Sequence, residues 1–330
     1  MIETPETLRW RSREVRYYAG AWDDVLSVLP DFETVPFRAG PEEPPNPFLL
    51  TVCRKPRCPG ERPVPVGVVS EQYSLVQHRE AATRCRDGLV DAGVRAKDLR
   101  YEVGVSQLDE WMNFRVYFPE DHGRRDSLGE RVDLRLECFN SVNGWSRLMV
   151  LFGWYRFVCS NGMVIGESMI EIRERHGQPL EIDTIPERIA SSLEAVEADR
   201  RRLHDWEKTP IDVKDDLARW IDGPVSTRWG KRAAARVFHI CVSGRDVEIE
   251  KFTAGEASVK PVRFRCRVPG SAIPARTKYH VAQALSFVAT QRNDPDDRVG
   301  RQAAIPDLLR HLTPRGEPVR QQVLIGGLAE

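Results

Sequence analysis

The sequence predicts an α+β fold in which a central antiparallel β-meander packs on helices and is followed by a helical C-terminal half. Between residues 63 and 163, apolar and polar residues alternate in successive segments. This period of two is typical of strands with one buried face. The links between the segments are short, which favours antiparallel pairing of neighbours. After Gly162 the apolar residues recur at helical spacing.

The strands of the predicted meander follow from this alternation. Met112, Phe114 and Val116 alternate with Asn113 and Arg115, which indicates a half-buried strand. The predicted strands cover residues 64–69, 99–105, 112–118, 132–138 and 147–158. An amphipathic helix at residues 81–92 is predicted between the first two of them.

Two turns frame the last strand of the meander. Asn143-Gly144 precedes it and is a strong hairpin signal, because both residue types accept positive φ at little cost. Cys159-Ser160-Asn161-Gly162 follows it and is expected to be the corner at which the sheet gives way to helices.

The chain is expected to have three parts. Prolines punctuate residues 1–62, which predicts a loop-rich N-terminal arm. Residues 63–210 form the predicted α+β core, with the meander and a long helix whose apolar face runs from Ile185 to Trp206. Residues 211–330 are predicted to be mostly helical with a basic strand. The predicted elements of this last part are helices at 211–221, 226–240, 277–291 and 305–312 and strands at 247–252 and 262–268.

Composition limits the classes of protein that fit. The chain has 330 residues with 49 Lys+Arg and 49 Asp+Glu, so any nucleic-acid affinity must come from local patches. No apolar run has the length of a membrane span, and Met1-Ile2-Glu3-Thr4-Pro5 lacks the features of a secretory signal. The 7 cysteines are scattered and odd in number, which is typical of reduced thiols, and we expect a cytoplasmic protein.

Signatures of catalysis are absent from the sequence. It has no Gly-x-Ser-x-Gly, Walker A, Rossmann glycine or His-Glu-x-x-His pattern, which favours a non-enzymatic protein without a cofactor. Cys53 and Cys58 could form half of a zinc site, but no second pair with metal-ligand spacing follows. Asp294, Asp296 and Asp297 could bind a divalent metal ion, although turn composition already accounts for them.

Basic residues near aromatic ones are the strongest functional signal. One group lies on a predicted helix beside Trp229, and another forms one face of a predicted strand. A basic face with neighbouring aromatics suits a nucleic-acid backbone with stacked bases, whereas pairing with acidic neighbours would leave only a solvated face. The candidate nucleic-acid-binding residues are Arg228, Lys231, Arg232, Arg236, Lys260, Arg263, Arg265, Arg267, Lys278, Arg147 and Arg156, with Arg276 and Tyr279 nearby. Exposure of Trp154 or Arg156 beside Arg147 would indicate a base-stacking surface.

Three stretches resemble a phage- and plasmid-associated family, domain of unknown function 932. They are Tyr73-Ser74-Leu75-Val76-Gln77-His78, Asn140-Ser141-Val142-Asn143-Gly144 and Val158-Cys159-Ser160-Asn161-Gly162, in this order. Thr277-Lys278-Tyr279 and Ala284-Leu285-Ser286 resemble the late helix of that family. Asn143 and Gln283 depart from its usual residues. We expect mainly structural roles, in which Asn140 and Ser141 bond their own backbone and Gln77 and His78 cap the helix or contact a ligand.

The resemblance implies a mobile-element setting and, at the level of the fold, a likeness to single-strand annealing proteins. Those proteins form rings or arcs with a basic groove for single-stranded DNA. We therefore expect a non-enzymatic nucleic-acid-binding protein that binds or anneals single-stranded DNA as a homo-oligomer, without a membrane partner. The alternatives left open are an interaction protein for a host or CRISPR-type defence complex and a metal-dependent nuclease.

Overall fold

The computed structural model describes residues 15–119, 124–125, 131–156, 182–212, 216–248, 263–268, 271–292 and 294–312. Contacts within the chain define two compact units. Unit 1 comprises Met1–Asp205 and Leu285–Pro306, and unit 2 comprises Trp206–Ala284 and Asp307–Glu330. The α+β class is confirmed, with antiparallel sheets in the N-terminal part and a mostly helical C-terminal half.

The strands are numbered in chain order. They are β1 (Val15–Gly20), β2 (Phe32–Pro36), β3 (Leu49–Arg54), β4 (Val64–Ser70), β5 (Arg100–Ser106), β6 (Trp111–Tyr117), β7 (Arg124–Arg125), β8 (Arg131–Ser141), β9 (Met149–Arg156), β10 (Arg245–Glu248) and β11 (Arg263–Arg267). The helices are α1 (Trp22–Ser27), α2 (His78–Asp91), α3 (Ile185–Lys208), α4 (Asp216–Trp220), α5 (Ser226–Trp229), α6 (Lys231–Ser243), α7 (Lys278–Thr290), α8 (Pro295–Ala303) and α9 (Ile305–Arg310).

The central sheet of unit 1 has the order β1-β5-β6-β8, and both β9 and the short β7 pair with β8. Every pairing is antiparallel, so the predicted meander is confirmed for β5, β6, β8 and β9. The strand predicted at residues 64–69 is confirmed as β4, but β4 pairs with β3 in a separate sheet of order β2-β3-β4 and is not part of the meander. Alternation identifies a strand but not its partner, and α2 separates β4 from β5 along the chain. The predicted corner at residues 159–162 lies outside the described residues.

One face of the central sheet packs on α2. Phe114, Leu136 and Phe152 are fully buried there, as are Ala81 and Leu89 of the helix. The helix crosses the start of α3 at Gly88, where a Cβ atom would lie 2.7 Å from Pro186 Cα. A side chain at this position would therefore push the two helices apart.

The opposite face of the central sheet is also covered. Val299 of α8 packs with Val15, Trp111, Phe139 and Met149, all of them buried. Alternation predicted a half-buried β6, and this prediction is wrong, because Asn113 is 0% and Arg115 only 3% exposed. The polar side of the meander is thus an interior surface rather than a solvated one.

The three-stranded sheet packs on the turn between β8 and β9. Phe32, Val52 and Val69 form a core with Val142 of that turn. At Gly67 the approach is so close that a Cβ atom would lie 2.6 Å from Asn143 Cβ. The Asn143-Gly144 hairpin signal is confirmed, since β8 and β9 pair across this turn and Gly144 has a φ of 75°.

Unit 2 is built from short helices and the β10–β11 ladder. The indole of Trp220 donates a 2.7 Å hydrogen bond to the carbonyl of Leu308 and so fixes α9 against α4. The helix predicted from residue 226 to 240 is interrupted at Gly230, whose φ is 83°. A right-handed helix cannot continue through that conformation. No helix in the described parts of the chain is long and apolar enough to cross a membrane.

Candidate functional site

Two of the sequence stretches that carry the family resemblance meet in unit 1. Asn140 donates through Nδ2 to the carbonyl of Val76 at 2.9 Å and to Nδ1 of His78 at 3.0 Å. His78 in turn donates through Nε2 to the carbonyl of Asp109 at 2.8 Å. The hydroxyl of Tyr73 donates to the carbonyl of Ser141 at 3.0 Å. We call this network, which joins the entry of α2 to the end of β8, the motif junction.

Further side-chain bonds extend the motif junction to neighbouring strands. Gln77 accepts from the N–H of Phe32 at 2.9 Å and donates to its carbonyl at 3.0 Å, as a strand neighbour would. Asn143 Oδ1 accepts from the indole of Trp111 at 3.1 Å and from the hydroxyl of Ser141 at 2.7 Å. The prediction that Asn140 closes the hairpin through its own backbone is wrong, because its amide reaches the start of α2 instead. The third stretch, residues 158–162, lies outside the described residues.

Asp109 lies at the centre of a cluster of charged side chains beside the motif junction. Its φ is 64°, a conformation that non-glycine residues adopt rarely, and its side chain is 3% exposed. The carboxylate lies 2.5 Å from Arg16 Nη2, 2.8 Å from Arg57 Nη2 and 3.6 Å from Arg54 Nε. Arg54 also pairs with Glu61 at 2.6 Å. Burial raises the pKa of Asp109, and the three guanidiniums only partly offset this. Sequence reasoning missed the cluster because its members are scattered along the chain.

A second charged cluster lies on the face of the central sheet that α8 covers. Glu102, Arg115 and Glu137 occupy neighbouring register positions on β5, β6 and β8. Arg115 lies 2.6 Å from Glu102 and 3.0 Å from Glu137, and Arg135 lies 2.6 Å from Glu137. Burial alone would raise the pKa of Glu137, but the charges of Arg135, Arg115 and Arg298 outweigh it and lower this pKa. The cluster is therefore an ionised network inside the protein.

The low pKa of Glu137 predicts how acid affects the fold. Because its folded-state pKa lies below the ordinary 4.5, Glu137 stabilises the fold above that pH, and the stabilisation is lost as pH falls through the lower value. We expect Glu137→Gln to lose less unfolding free energy than the wild type between about pH 6 and about pH 3, measured by urea titration. Asn46→Ala, at an exposed position without an ionisable side chain, should keep the wild-type slope. Parallel slopes for Glu137→Gln and the wild type would contradict the prediction.

The candidate basic residues in and near α6 differ in their exposure and in their ion pairs. Lys231 and Arg232 are exposed and have no acidic partner within the described residues. Arg228 is exposed and lies 3.4 Å from Asp307. Arg236 is engaged in a bidentate pair with Asp246 at 2.6 and 2.8 Å, so its role as a nucleic-acid contact is not supported. Trp229 is 6% exposed and offers no surface for stacking.

Of the basic strand predicted at residues 260–267, the structure describes residues 263–267, which form β11. Arg267 is exposed and faces the exposed Arg245 of β10 in the register, a partner that sequence reasoning missed. The register shifts between Arg245 and Val247, and Cys266 is exposed beside Arg267, so the predicted strict alternation is broken. Arg263 and Arg265 belong to β11, but their side chains, like the whole of Lys260, are outside the described set.

The remaining candidates do not form one face. Arg147 is half-buried in the turn after β8, and Arg156 ends β9 with a side chain outside the described set. Lys278 is half-buried, and its neighbour Tyr279 is 0% exposed. Trp154 is 2% exposed, which contradicts a stacking role for it. Trp145, in the same turn as Arg147, is instead 57% exposed.

Family comparison assigns the central part of the chain. The profile of the family described as "Domain of unknown function (DUF932)" matches residues 65–236, about half of the 330 residues. The chain belongs to the DUF932 family. No curated protein and no solved structure matches it. The DUF932 match begins in β4 and ends in α6, so it contains Tyr73, His78 and Asn140 of the motif junction.

Outside the DUF932 match lie the acidic residues considered as metal ligands. Asp294 caps α8, since its Oδ1 accepts from the N–H of Asp296 at 2.9 Å and of Asp297 at 3.3 Å. Burial raises the pKa of Asp297, but hydrogen bonds from Arg301 and Arg292 outweigh it and lower this pKa. The segment predicted to be a polar turn is therefore the start of a helix, in which these carboxylates have structural partners. Cys53 is buried and Cys58 exposed, and the described residues hold no group of three side chains suited to a metal ion.

Proposed function

We propose that this DUF932 protein binds single-stranded DNA without catalysing a reaction, through an exposed basic surface of unit 2. The observation that carries the proposal is the facing pair Arg245 and Arg267, both exposed and without an acidic partner in the described part of the chain. Like charges placed directly opposite on an antiparallel ladder destabilise it. A bound phosphate relieves this repulsion, because a guanidinium binds phosphate oxygens in bidentate geometry.

Lys231 and Arg232 supply further cations of the same unit. Both lie exposed in the first turn of α6, and no acidic residue accompanies them in that turn. One turn later, the pair between Arg236 and Asp246 fixes α6 against β10. The exposed cations are therefore presented by a rigid element, which lowers the ordering cost of binding.

The wider setting of the proposal is a phage or plasmid protein that anneals or protects single strands as a homo-oligomer. It is supported by the family resemblance together with the lack of a recognisable catalytic pattern in the sequence. The zero net charge agrees with binding by a local patch rather than by a field over the whole protein.

A charge-reversal pair tests the proposal. We expect Lys231→Glu/Arg232→Glu to bind a labelled oligothymidylate at least about tenfold more weakly, measured by fluorescence anisotropy. Loss of two phosphate contacts should also reduce the salt slope of log K by about 1.4.

The matched control is Lys97→Glu/Arg100→Glu, which makes the same charge change at exposed positions of unit 1. This control should keep wild-type affinity and salt slope. Absence of wild-type binding at micromolar protein, or an equal loss in both double variants, would overturn the proposal.

A further inference from the structure

Two turns meet at one end of the central sheet in unit 1. Residues 107–110 join β5 to β6, and residues 142–148 join β8 to β9. The N–H of Val142 donates to the carbonyl of Glu110 at 3.0 Å. The indole of Trp111 donates to Asn143 at 3.1 Å. These bonds hold the two turns in a fixed relation. We call the surface they form, together with Arg16 and Arg57, the turn end of the sheet.

An aromatic side chain stands exposed on this surface. Trp145 is 57% exposed, and its backbone N–H donates to Asn143 Oδ1 at 3.2 Å. Leu108 of the other turn is 40% exposed. The backbone that carries Trp145 is thus held in place, while the residue is more than half exposed. An aromatic ring presented in this way is typical of a residue that stacks on a partner.

At the turn end two arginine side chains are partly exposed, whereas the acidic residues Asp109 and Glu110 are buried. The side chains of Arg16 and Arg57 are 47% and 37% exposed. Their acidic neighbours Asp109 and Glu110 are only 2% and 1% exposed. Each of the two guanidiniums contacts the protein through Nη2 in the described residues. Glu61, whose side chain is 28% exposed, is paired with Arg54 and accepts from the backbone N–H of Arg57. Nitrogen donors of the Arg16 and Arg57 guanidiniums remain for an anion.

The spacing of these groups suits an extended chain. The strand order places β9 four strands from β1, which is about 19 Å at the usual spacing of about 4.8 Å. Arg16 lies on β1, and Trp145 precedes β9. A ligand that touches both ends must be a few units long, with anions and flat rings in succession. Single-stranded nucleic acid has this chemistry, whereas the stacking of base pairs in a duplex covers the ring faces.

We propose that the turn end binds a segment of single-stranded nucleic acid, with Trp145 stacked on a base and Arg16 and Arg57 bound to phosphates. The inference rests on the proposed function but places a second, base-contacting surface in unit 1. Arg147, two residues after Trp145, adds a cation beside the stacked base.

A comparison of two oligomers tests this inference. One is an oligothymidylate of about twelve nucleotides, and the other is an abasic sugar-phosphate oligomer of the same length and charge. We expect Trp145→Ala to weaken binding of the oligothymidylate about tenfold, the usual effect of losing one stacked base, and to leave the abasic oligomer unaffected. Trp145→Phe should restore most of the affinity. Phe48→Ala, at a 67% exposed aromatic residue ahead of β3, is the control and should bind both oligomers like the wild type.

The outcomes separate this inference from the proposed function. Equal weakening of both oligomers, or wild-type affinity of Trp145→Ala for both, would overturn the stacking site while leaving DNA binding by unit 2 intact. Wild-type affinity of Trp145→Ala for both oligomers would indicate that Trp145 contacts a protein instead. Wild-type protein that binds neither oligomer would overturn both proposals.

Discussion

Replacing Arg115 by methionine is expected to lower the free energy of unfolding by about 3–5 kcal/mol. The guanidinium is 3% exposed and lies between Glu102 and Glu137, whose side chains are each 6% exposed. Methionine keeps much of the volume but leaves two buried carboxylates facing each other without their shared cation. An uncompensated buried charge costs far more than the intact pair contributes. Urea unfolding followed by far-UV circular dichroism measures the change.

Two further variants make this prediction specific. Arg100→Met removes an exposed arginine from β5 and should change stability by less than about 0.5 kcal/mol. The triple variant Glu102→Gln/Arg115→Met/Glu137→Gln removes all three charges together and should be more stable than Arg115→Met alone. If the single and triple variants were equally destabilised, packing rather than charge would explain the loss.

The second large effect is expected at Asn140. Asn140→Ala removes two buried hydrogen bonds, those from its amide to the Val76 carbonyl and to His78 Nδ1. Removing one partner of a buried hydrogen bond costs about 1–3 kcal/mol, so we expect a loss of about 2–5 kcal/mol. Asn140→Asp should cost still more, because a carboxylate cannot donate to either acceptor. A change of His78 tautomer would not rescue it, since Nε2 must keep its proton for the Asp109 carbonyl.

The control for Asn140 is Asn46. It is exposed, and its Oδ1 accepts one bond from the N–H of Phe48 at 2.8 Å. Asn46→Ala should therefore cost about 1 kcal/mol or less. Thermal unfolding of the four proteins would rank them as wild type, Asn46→Ala, Asn140→Ala and Asn140→Asp. An Asn140→Ala protein as stable as the wild type would contradict the hydrogen bonds assigned to the Asn140 amide.

Alternation along the sequence was enough to find β5, β6, β8 and β9, but it misjudged their polar sides. A period of two shows only that the two faces of a strand differ. Whether the polar face meets water depends on what covers it, and here the cover is α8, which begins at Pro295, far along the chain from β6. The Asp294-Pro295 start of that helix was interpreted as a turn. The same composition serves a helix N-cap, because an aspartate side chain accepts from the first free N–H groups in both cases.

The candidate basic residues show the same limit. Lys231 and Arg232 were expected to be exposed and are, because the start of a short helix fixes their environment locally. Arg236 is paired with Asp246, and a local pattern cannot reveal this pairing. Asp246, its partner, sits on β10 beyond a helix end at Gly244.

The residues of the motif junction help to explain what the DUF932 match detects. Tyr73, His78 and Asn140 bond one another's segments, so a change in one of them must be matched by the others if the junction is to form. All three residues lie inside the DUF932 match. Arg16, Arg57, Arg245 and Arg267 lie outside the matched residues 65–236, so the match does not depend on them. Membership of the family therefore carries no information about these four cations, whereas Trp145, Lys231 and Arg232 lie within the matched region.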